Sequence, residues 1–267
     1  MTTASSNPRD PIPSNTHNTL LDEQIAYYRA RASEYDEWFL RQGRYDHGPE
    51  ENACWFAEAA QMADALEASL LAAMPADQAA GLSILELACG TGLWTERLLR
   101  HAARLTVVDS SPEMLAITRT RIAHAQAAQP DLVSRPLDCI QADLFTWQPG
   151  AQYDVIFFGF WLSHVPPEDF DAFWARVRAA LSPGGRVCFV DSLYTEQSTA
   201  HDHQLEGSQA TTVTRRLNDG HEYRIVKVFY PPEELAARLT ALGWRASIQA
   251  TPTYFFSGEA RELEAHV

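Results

Sequence analysis

Apolar positions in this chain follow two rhythms. Between residues 20 and 40 they recur every three or four positions, which brings Tyr28, Tyr35 and Phe39 near one face of a helix. A second helical stretch, rich in alanine and leucine, covers residues 51–74, and Pro75 and Gly81 mark a break after it. The texture then changes. Short apolar runs at 83–88, 105–109, 139–142, 153–160 and 185–191 alternate with helical patterns at 93–103, 112–128 and 167–181. A strand that is apolar throughout must be covered on both faces, so this alternation predicts a parallel sheet between two layers of helices.

After Asp191 the alternation stops. Residues 193–209 are polar and predict a loop or a short helix. Segments of mixed apolar and polar residues at 212–217 and 222–229 flank Asn218-Asp219-Gly220, the signature of a hairpin turn. A helix over 232–242 should end at Gly243, with two last strands at 244–250 and 254–256. The hairpin puts apolar residues on one face, so that face must cover something. Either the hairpin forms a lid over a bound molecule together with the N-terminal helix, or its exposed edge pairs with its twin in a homodimer.

Composition narrows the function. The chain has 267 residues, 46% of them hydrophobic, enough for one sizeable core, and a formal net charge of -14. An acidic surface speaks against nucleic acid as a partner and against docking on an anionic membrane. No signal peptide and no apolar run long enough to cross a bilayer is seen. Cys54, Cys89, Cys139 and Cys188 lie far apart with no CxxC pair, as expected of small thiols in a reducing cytoplasm. His124, His201, His203, His221 and His266 share no metal-ligand spacing, so no metal site is expected.

The candidate chemistry sits between residues 84 and 109. Glu86-Leu87-Ala88-Cys89-Gly90-Thr91-Gly92 joins a strand to a helix, where glycines let the backbone turn tightly against a ligand. The next strand ends in Asp109, and in a doubly wound sheet neighbouring strand ends meet at the ligand crevice. An acid there accepts hydrogen bonds from both hydroxyls of a ribose. NAD and FAD sites use a similar turn, but their fingerprint wants a third small residue where this chain has Thr95, and Glu86 would repel a pyrophosphate.

ILELACGTG resembles the first motif of the class I S-adenosylmethionine-dependent methyltransferases, and VVDSSPEML resembles the next segment of that family. CIQADL is similar to the family's adenine-binding segment, and LSPGGR to its turn before the fifth strand. The resemblance covers residues 84–191 and implies the fold: a Rossmann-like, doubly wound α/β sheet of seven strands, mostly parallel with one antiparallel strand. It implies S-adenosylmethionine as cofactor. Glu86, Ala88, Gly90, Thr91 and Gly92 would serve its methionyl end, Asp109 and Ser110 its ribose, and Met114, Asp143 and Leu144 its adenine. Gly159 would let the cofactor pass closely. The YYRARASEYDEWF stretch resembles the N-terminal cap of small-molecule members, where Tyr28, Arg29 or Tyr35 would touch the methionyl end; alternatively this aromatic stripe simply packs. The chain then divides into a disordered tail (1–19), a helical cap (20–80), a cofactor-binding core (81–192), the insertion with its hairpin lid (193–230) and a segment completing the sheet (231–267).

The expected reaction is methyl transfer to a small molecule, with oxygen favoured over nitrogen and carbon; a protein acceptor and an NAD-type oxidoreductase are the rivals. His164, in the loop after the fourth strand, is the candidate base because its ordinary pKa is near neutrality. It could equally orient that loop before Pro166. Trp161 would wall the acceptor pocket or pack, and Asp191 would stand at the crevice mouth. No N-P-P-[YF] motif and no Pro-Cys nucleophile come after the fourth strand, so the two nucleobase-methylation patterns are absent.

Overall fold

A computed structural model of the chain describes residues 14–74, 81–129, 132–133, 135–203 and 206–263. Strand β1 (Leu82–Leu87) is buried along almost its whole length and runs at the centre of a seven-stranded sheet. The other strands are β2 (Ala102–Asp109), β3 (Leu137–Gln141), β4 (Tyr153–Gly159), β5 (Leu181–Ser192), β8 (Trp244–Ala250) and β9 (Phe255–Glu262). Their order is β3-β2-β1-β4-β5-β9-β8, and β9 alone runs antiparallel to its neighbours. The order reverses between β1 and β4, which opens the crevice at their carboxyl ends.

Helices cover both faces because both faces are apolar. On one, Trp55, Met62 and Leu66 of α3 (Pro49–Ala73) pack with Leu98 of α4 (Thr95–Leu99) and Ile122 of α5 (Pro112–Ala128) against Ile84, Val107 and Phe157. On the other, Trp174 of α6 (Phe170–Ala180) and Leu235 of α7 (Pro232–Ala241) lie over Phe158 and Phe189, whose rings stack at 5.6 Å. Gly258 pairs with Phe189 across β5 and β9, and a Cβ there would come within 2.2 Å of that ring. The stacked pair therefore demands glycine at this position.

Four elements differ from the sequence pattern. The helix expected over 93–103 is confined to α4, because the chain turns at His101 and enters β2 at Ala102. The exposed Ala103 and Arg104 at that strand's start carry no strand-like pattern. Strand β9 runs on to Glu262, past the apolar residues that announced it, through alternating small and charged positions. The N-terminal helix begins at Ser14, so residues 14–19 of the expected tail are helical. Residues 1–13, and His266, lie outside the described residues. The expected single helix over 20–40 is two, α1 (Ser14–Arg31) and α2 (Tyr35–Phe39), joined by a tighter turn at Ala32–Glu34.

The hairpin forms a separate sheet of β6 (Thr212–Arg216) and β7 (Glu222–Val226). Val213, Leu217 and Ile225 pack on Tyr27 of α1 as a small core of their own. Gln24 of α1 pins both sides: its amide donates to the His164 carbonyl at 3.1 Å and accepts from the Val226 N–H at 3.0 Å. Val228 N–H donates to the Ser163 carbonyl at 2.7 Å. The hairpin and α1 thus sit on the loop that leaves the carboxyl end of β4.

Candidate active site

The turn after β1 is built on left-handed backbone. Ala88 has φ of 53° and Gly90 of 55°; for Ala88, which carries a Cβ, that conformation is strained. Asp109, at the end of β2, holds the turn. Its carboxylate accepts the Gly90 and Ser111 N–H groups, each at 2.9 Å, and is only 8% exposed. Burial raises its pKa despite those hydrogen bonds, which pull the other way. Glu86 lies beneath the turn and accepts the Thr95 hydroxyl at 2.6 Å. Burial, opposed by that hydrogen bond, pushes Glu86 up to about 8.

A cleft of about 610 Å³ opens at these strand ends. Of the residues expected from sequence, it brings together Tyr28, Tyr35, Ala88, Gly90, Asp109, Ser110, Met114, Asp143, Leu144, Gly159 and His164. Glu86 and Thr91 line a smaller neighbouring hollow instead, under the same turn. The Thr91 hydroxyl donates to Asp36, which also pairs with Arg121, so α2 is clasped to the turn and to α5. Gly92 faces Thr118, whose side chain a Cβ would meet at 3.0 Å, so this glycine lets α5 approach. At Gly159 a Cβ would meet the Trp94 side chain at 3.1 Å, so packing on Trp94 also favours glycine where close passage of a cofactor was expected. Arg29 lies apart, paired with Glu113 at 3.0 Å on the surface. Asp143 turns one oxygen to the Phe145 N–H at 2.9 Å.

Sequence reasoning missed Gln24, Ile25, Phe145 and Phe160 as walls of the cleft. Phe160 has φ of 56° directly after β4, and only the preceding Gly159 hinted at such a turn. Trp161, left open between acceptor wall and packing, lines this cleft and also packs on Phe145 and Phe173.

His164 is buried and both its ring nitrogens are engaged. Nδ1 lies 2.7 Å from the Val226 carbonyl, which can only accept, so Nδ1 carries the hydrogen. Nε2, 2.8 Å from Tyr28 Oη, therefore accepts the phenol hydrogen. Burial, reinforced by the nearby Lys227 charge, drives the His164 pKa well below its usual 6.5, so the ring is neutral. Asp191 is 1% exposed and accepts the Ser163 and Ser192 N–H groups at 2.9 and 2.7 Å, which fixes the turn bearing His164. His201 and His203 diverge: the first contacts the Asp46 carbonyl at 2.7 Å, the second accepts the Arg216 N–H at 3.1 Å. Among the described residues no three His, Cys, Asp or Glu side chains gather as a metal set, and no helix is long and apolar enough to cross a membrane.

The family described as a methyltransferase domain matches residues 84–185, the stretch that builds this cleft. A ubiquinone biosynthesis O-methyltransferase of Xanthomonas euvesicatoria pv. vesicatoria is 32% identical over 165 residues, 61% of this chain and 63% of that protein. The chain thus spans less than two thirds of that relative's length. A trans-aconitate 2-methyltransferase of Streptomyces avermitilis is 32% identical over 202 residues, 74% of this chain and 70% of that protein. Among solved structures, the complex of DhpI with SAH superposes with a TM-score of 0.63 at 36% identity, covering 93% of this chain and 99% of that one.

Proposed function

Since the chain belongs to the class I S-adenosylmethionine-dependent methyltransferases, we propose that it transfers a methyl group to an oxygen atom of a small molecule. One observation supports the cofactor above all. Among the described residues the cleft is lined by Asp109 and Asp143, with Glu86 beneath its turn, and by no lysine or arginine. A dinucleotide would bring phosphates that need cationic partners; a sulfonium with an ammonium group suits acids.

Asp109 would hold the ribose hydroxyls, and Asp143, Leu144 and Met114 the adenine. Glu86 would answer the ammonium through the turn. When bound, the cofactor supplies a methyl carbon already activated by its sulfonium. The protein must therefore align an acceptor and exclude water, and the cap of α1, α2 and hairpin supports that role.

Tyr28 and His164 line both this cleft and a second cavity beside it, where an acceptor would sit. With its hydrogen committed to His164 Nε2, the Tyr28 oxygen keeps lone pairs free for an acceptor hydroxyl. A proton leaving that hydroxyl would pass to Tyr28 as the phenol hydrogen passes to Nε2, where the Val226 carbonyl offsets part of the cost that burial and Lys227 place on the imidazolium. An oxygen acceptor suits this pair, and an O-methyltransferase is among the relatives.

The test is product analysis. The protein, methyl-13C-labelled S-adenosylmethionine and fractionated small-molecule extract are combined, and the new methyl signal is read by carbon NMR. An O-methyl shift is expected. An N- or C-methyl product would overturn the oxygen assignment.

A further inference from the structure

A second hollow adjoins the cofactor cleft through Tyr28, Tyr35, Phe160 and His164. Its charge is opposite to that of the whole chain. Arg31 from the end of α1, Arg215 from β6 and Lys227 just after β7 all line it, and among the described residues no aspartate or glutamate does.

These cations are poorly compensated. Arg31 is 9% exposed; its guanidinium faces the Tyr35 ring at 5.0 Å and reaches Tyr45 Oη at 3.4 Å, and its Nε has no partner. Arg215 donates to Thr199 Oγ1 at 3.0 Å. Among the described residues neither arginine has a carboxylate within ion-pair distance. Lys227 donates to Ser163 Oγ at 2.8 Å and lies 3.7 Å from Asp191, whose oxygens already accept two backbone N–H groups. Burial pushes Lys227 down to about 8, with Arg215 adding to the shift against the pull of Asp191. Unpaired charge held away from water is costly, so a protein of net charge -14 that sets two arginines without carboxylates beside Lys227, whose one acid partner is 3.7 Å away, leaves positive charge in this hollow for an anion to answer.

We propose that this cavity is an oxyanion site which binds the acid group of the methyl acceptor through Arg31, Arg215 and Lys227. Two arginines without carboxylates match a group of about two negative charges: a phosphoryl or phosphonyl group, or a pair of carboxylates. The inference rests on the methyl-transfer function proposed above, because it places the acid beside Tyr28 and His164. The competing role for these cations is structural, with Arg31 held by stacking on the tyrosines.

The full chain is loaded with S-adenosylhomocysteine and titrated with inorganic phosphate, methylphosphonate, succinate and, as a neutral control, propanediol. Calorimetry and thermal melting are both read. Phosphate and methylphosphonate, or succinate, should bind and raise the melting temperature, and the arm that binds names the acid. Arg215→Met should weaken that binding by about 10- to 100-fold, the loss of a charge-assisted hydrogen bond, with S-adenosylhomocysteine affinity unchanged. Without anion, Arg215→Met should melt higher than wild type, since it removes a half-buried cation that has no carboxylate partner; a structural role predicts the reverse. Arg215→Lys should restore part of the anion response. If Arg215→Met does not fold, Lys227→Met reads the same loss. Cofactor binding without any anion response, an equal response to propanediol, or a response that survives both variants overturns the oxyanion site alone. Failure to bind S-adenosylhomocysteine at all overturns the methyl-transfer function instead.

Discussion

Tyr28 donates its hydroxyl hydrogen to His164 Nε2 at 2.8 Å, and the direction of that bond is set from the far side of the ring by the Val226 carbonyl. A residue of the cap and a residue of the loop after β4 thereby act as one unit, held by the hairpin. Tyr28→Phe keeps the ring and its edge contact with His164 while removing the hydroxyl. Turnover should fall by about 10²-fold or more, the scale of losing a positioned acid–base group, with cofactor affinity preserved. His164→Gln should cost turnover in the same range. Because the His164 pKa lies well below 6.5, wild-type turnover should show no ionisation step assignable to this ring near neutrality. Steady-state kinetics beside calorimetry with S-adenosylhomocysteine decides it; a Tyr28→Phe enzyme of wild-type turnover removes the pair from the chemistry.

Asp109 has two tasks, holding the turn through Gly90 and Ser111 and offering its carboxylate to the cleft. Asp109→Asn retains an acceptor oxygen but loses the charge. Affinity for S-adenosylhomocysteine should drop by about 10- to 100-fold, the equivalent of one hydrogen bond to a charged group. Titration calorimetry on a variant with wild-type circular dichroism checks this. Unchanged affinity would free Asp109 from the ribose role.

Glu86 should make both cofactor binding and stability depend on pH. Its folded pKa of about 8 lies above the ordinary 4.5, so at neutral pH the buried group is mostly protonated. A cation bound beside it favours the carboxylate, so cofactor binding at pH 7 should release a proton, seen as a binding enthalpy that varies with the buffer's ionisation enthalpy. In the free protein a raised carboxyl pKa contributes stability that is present below 4.5 and lost as pH rises through about 8. Glu86→Gln escapes that loss, so its melting temperature relative to wild type should rise between pH 5 and pH 9. A constant difference across that range would show that Glu86 does not titrate there.

Most of the sheet and the cofactor cleft were legible in the sequence because they rest on local pattern. Apolar runs such as Val107-Val108-Asp109 are short, uniform and end in the residue that matters, and α5 occupies the expected 112–128. The glycines were harder to assign. Gly92 and Gly159 have the spacing of ligand-facing positions, yet their neighbours are Thr118 and Trp94, which lie 26 and 65 positions away in sequence. The second cavity was not legible at all. Arg31, Arg215 and Lys227 come from a helix and a hairpin that meet only in the folded chain, and each looks like an ordinary surface charge in its own segment. The Tyr28–His164 bond is hidden for the same reason: its partners stand 136 positions apart.

The cap should open as a unit separate from the core. Tyr27, Val213, Leu217 and Ile225 form a cluster distinct from the two cores on the sheet faces, so α1 and the hairpin are stabilised chiefly by each other. Ile225 is 1% exposed at its centre, and its β7 neighbour Val226 supplies both the carbonyl for His164 and the N–H for Gln24. Ile225→Ala removes buried methylene groups and leaves a hollow that two thin elements cannot easily close, a loss of about 2–5 kcal/mol. That energy falls on the cap, whereas β1, β4 and β5 are paired on both sides within the sheet and keep their protection. Native-state hydrogen exchange should therefore show α1 and the hairpin amides exchanging together and faster in Ile225→Ala, with β1 and β4 unchanged. Bound cofactor and acceptor should slow the same amides, because in the proposed arrangement both would lie under the cap. If exchange in α1 stays at the wild-type rate while the hairpin speeds up, the two elements are not one unit and the hairpin alone is the moving part.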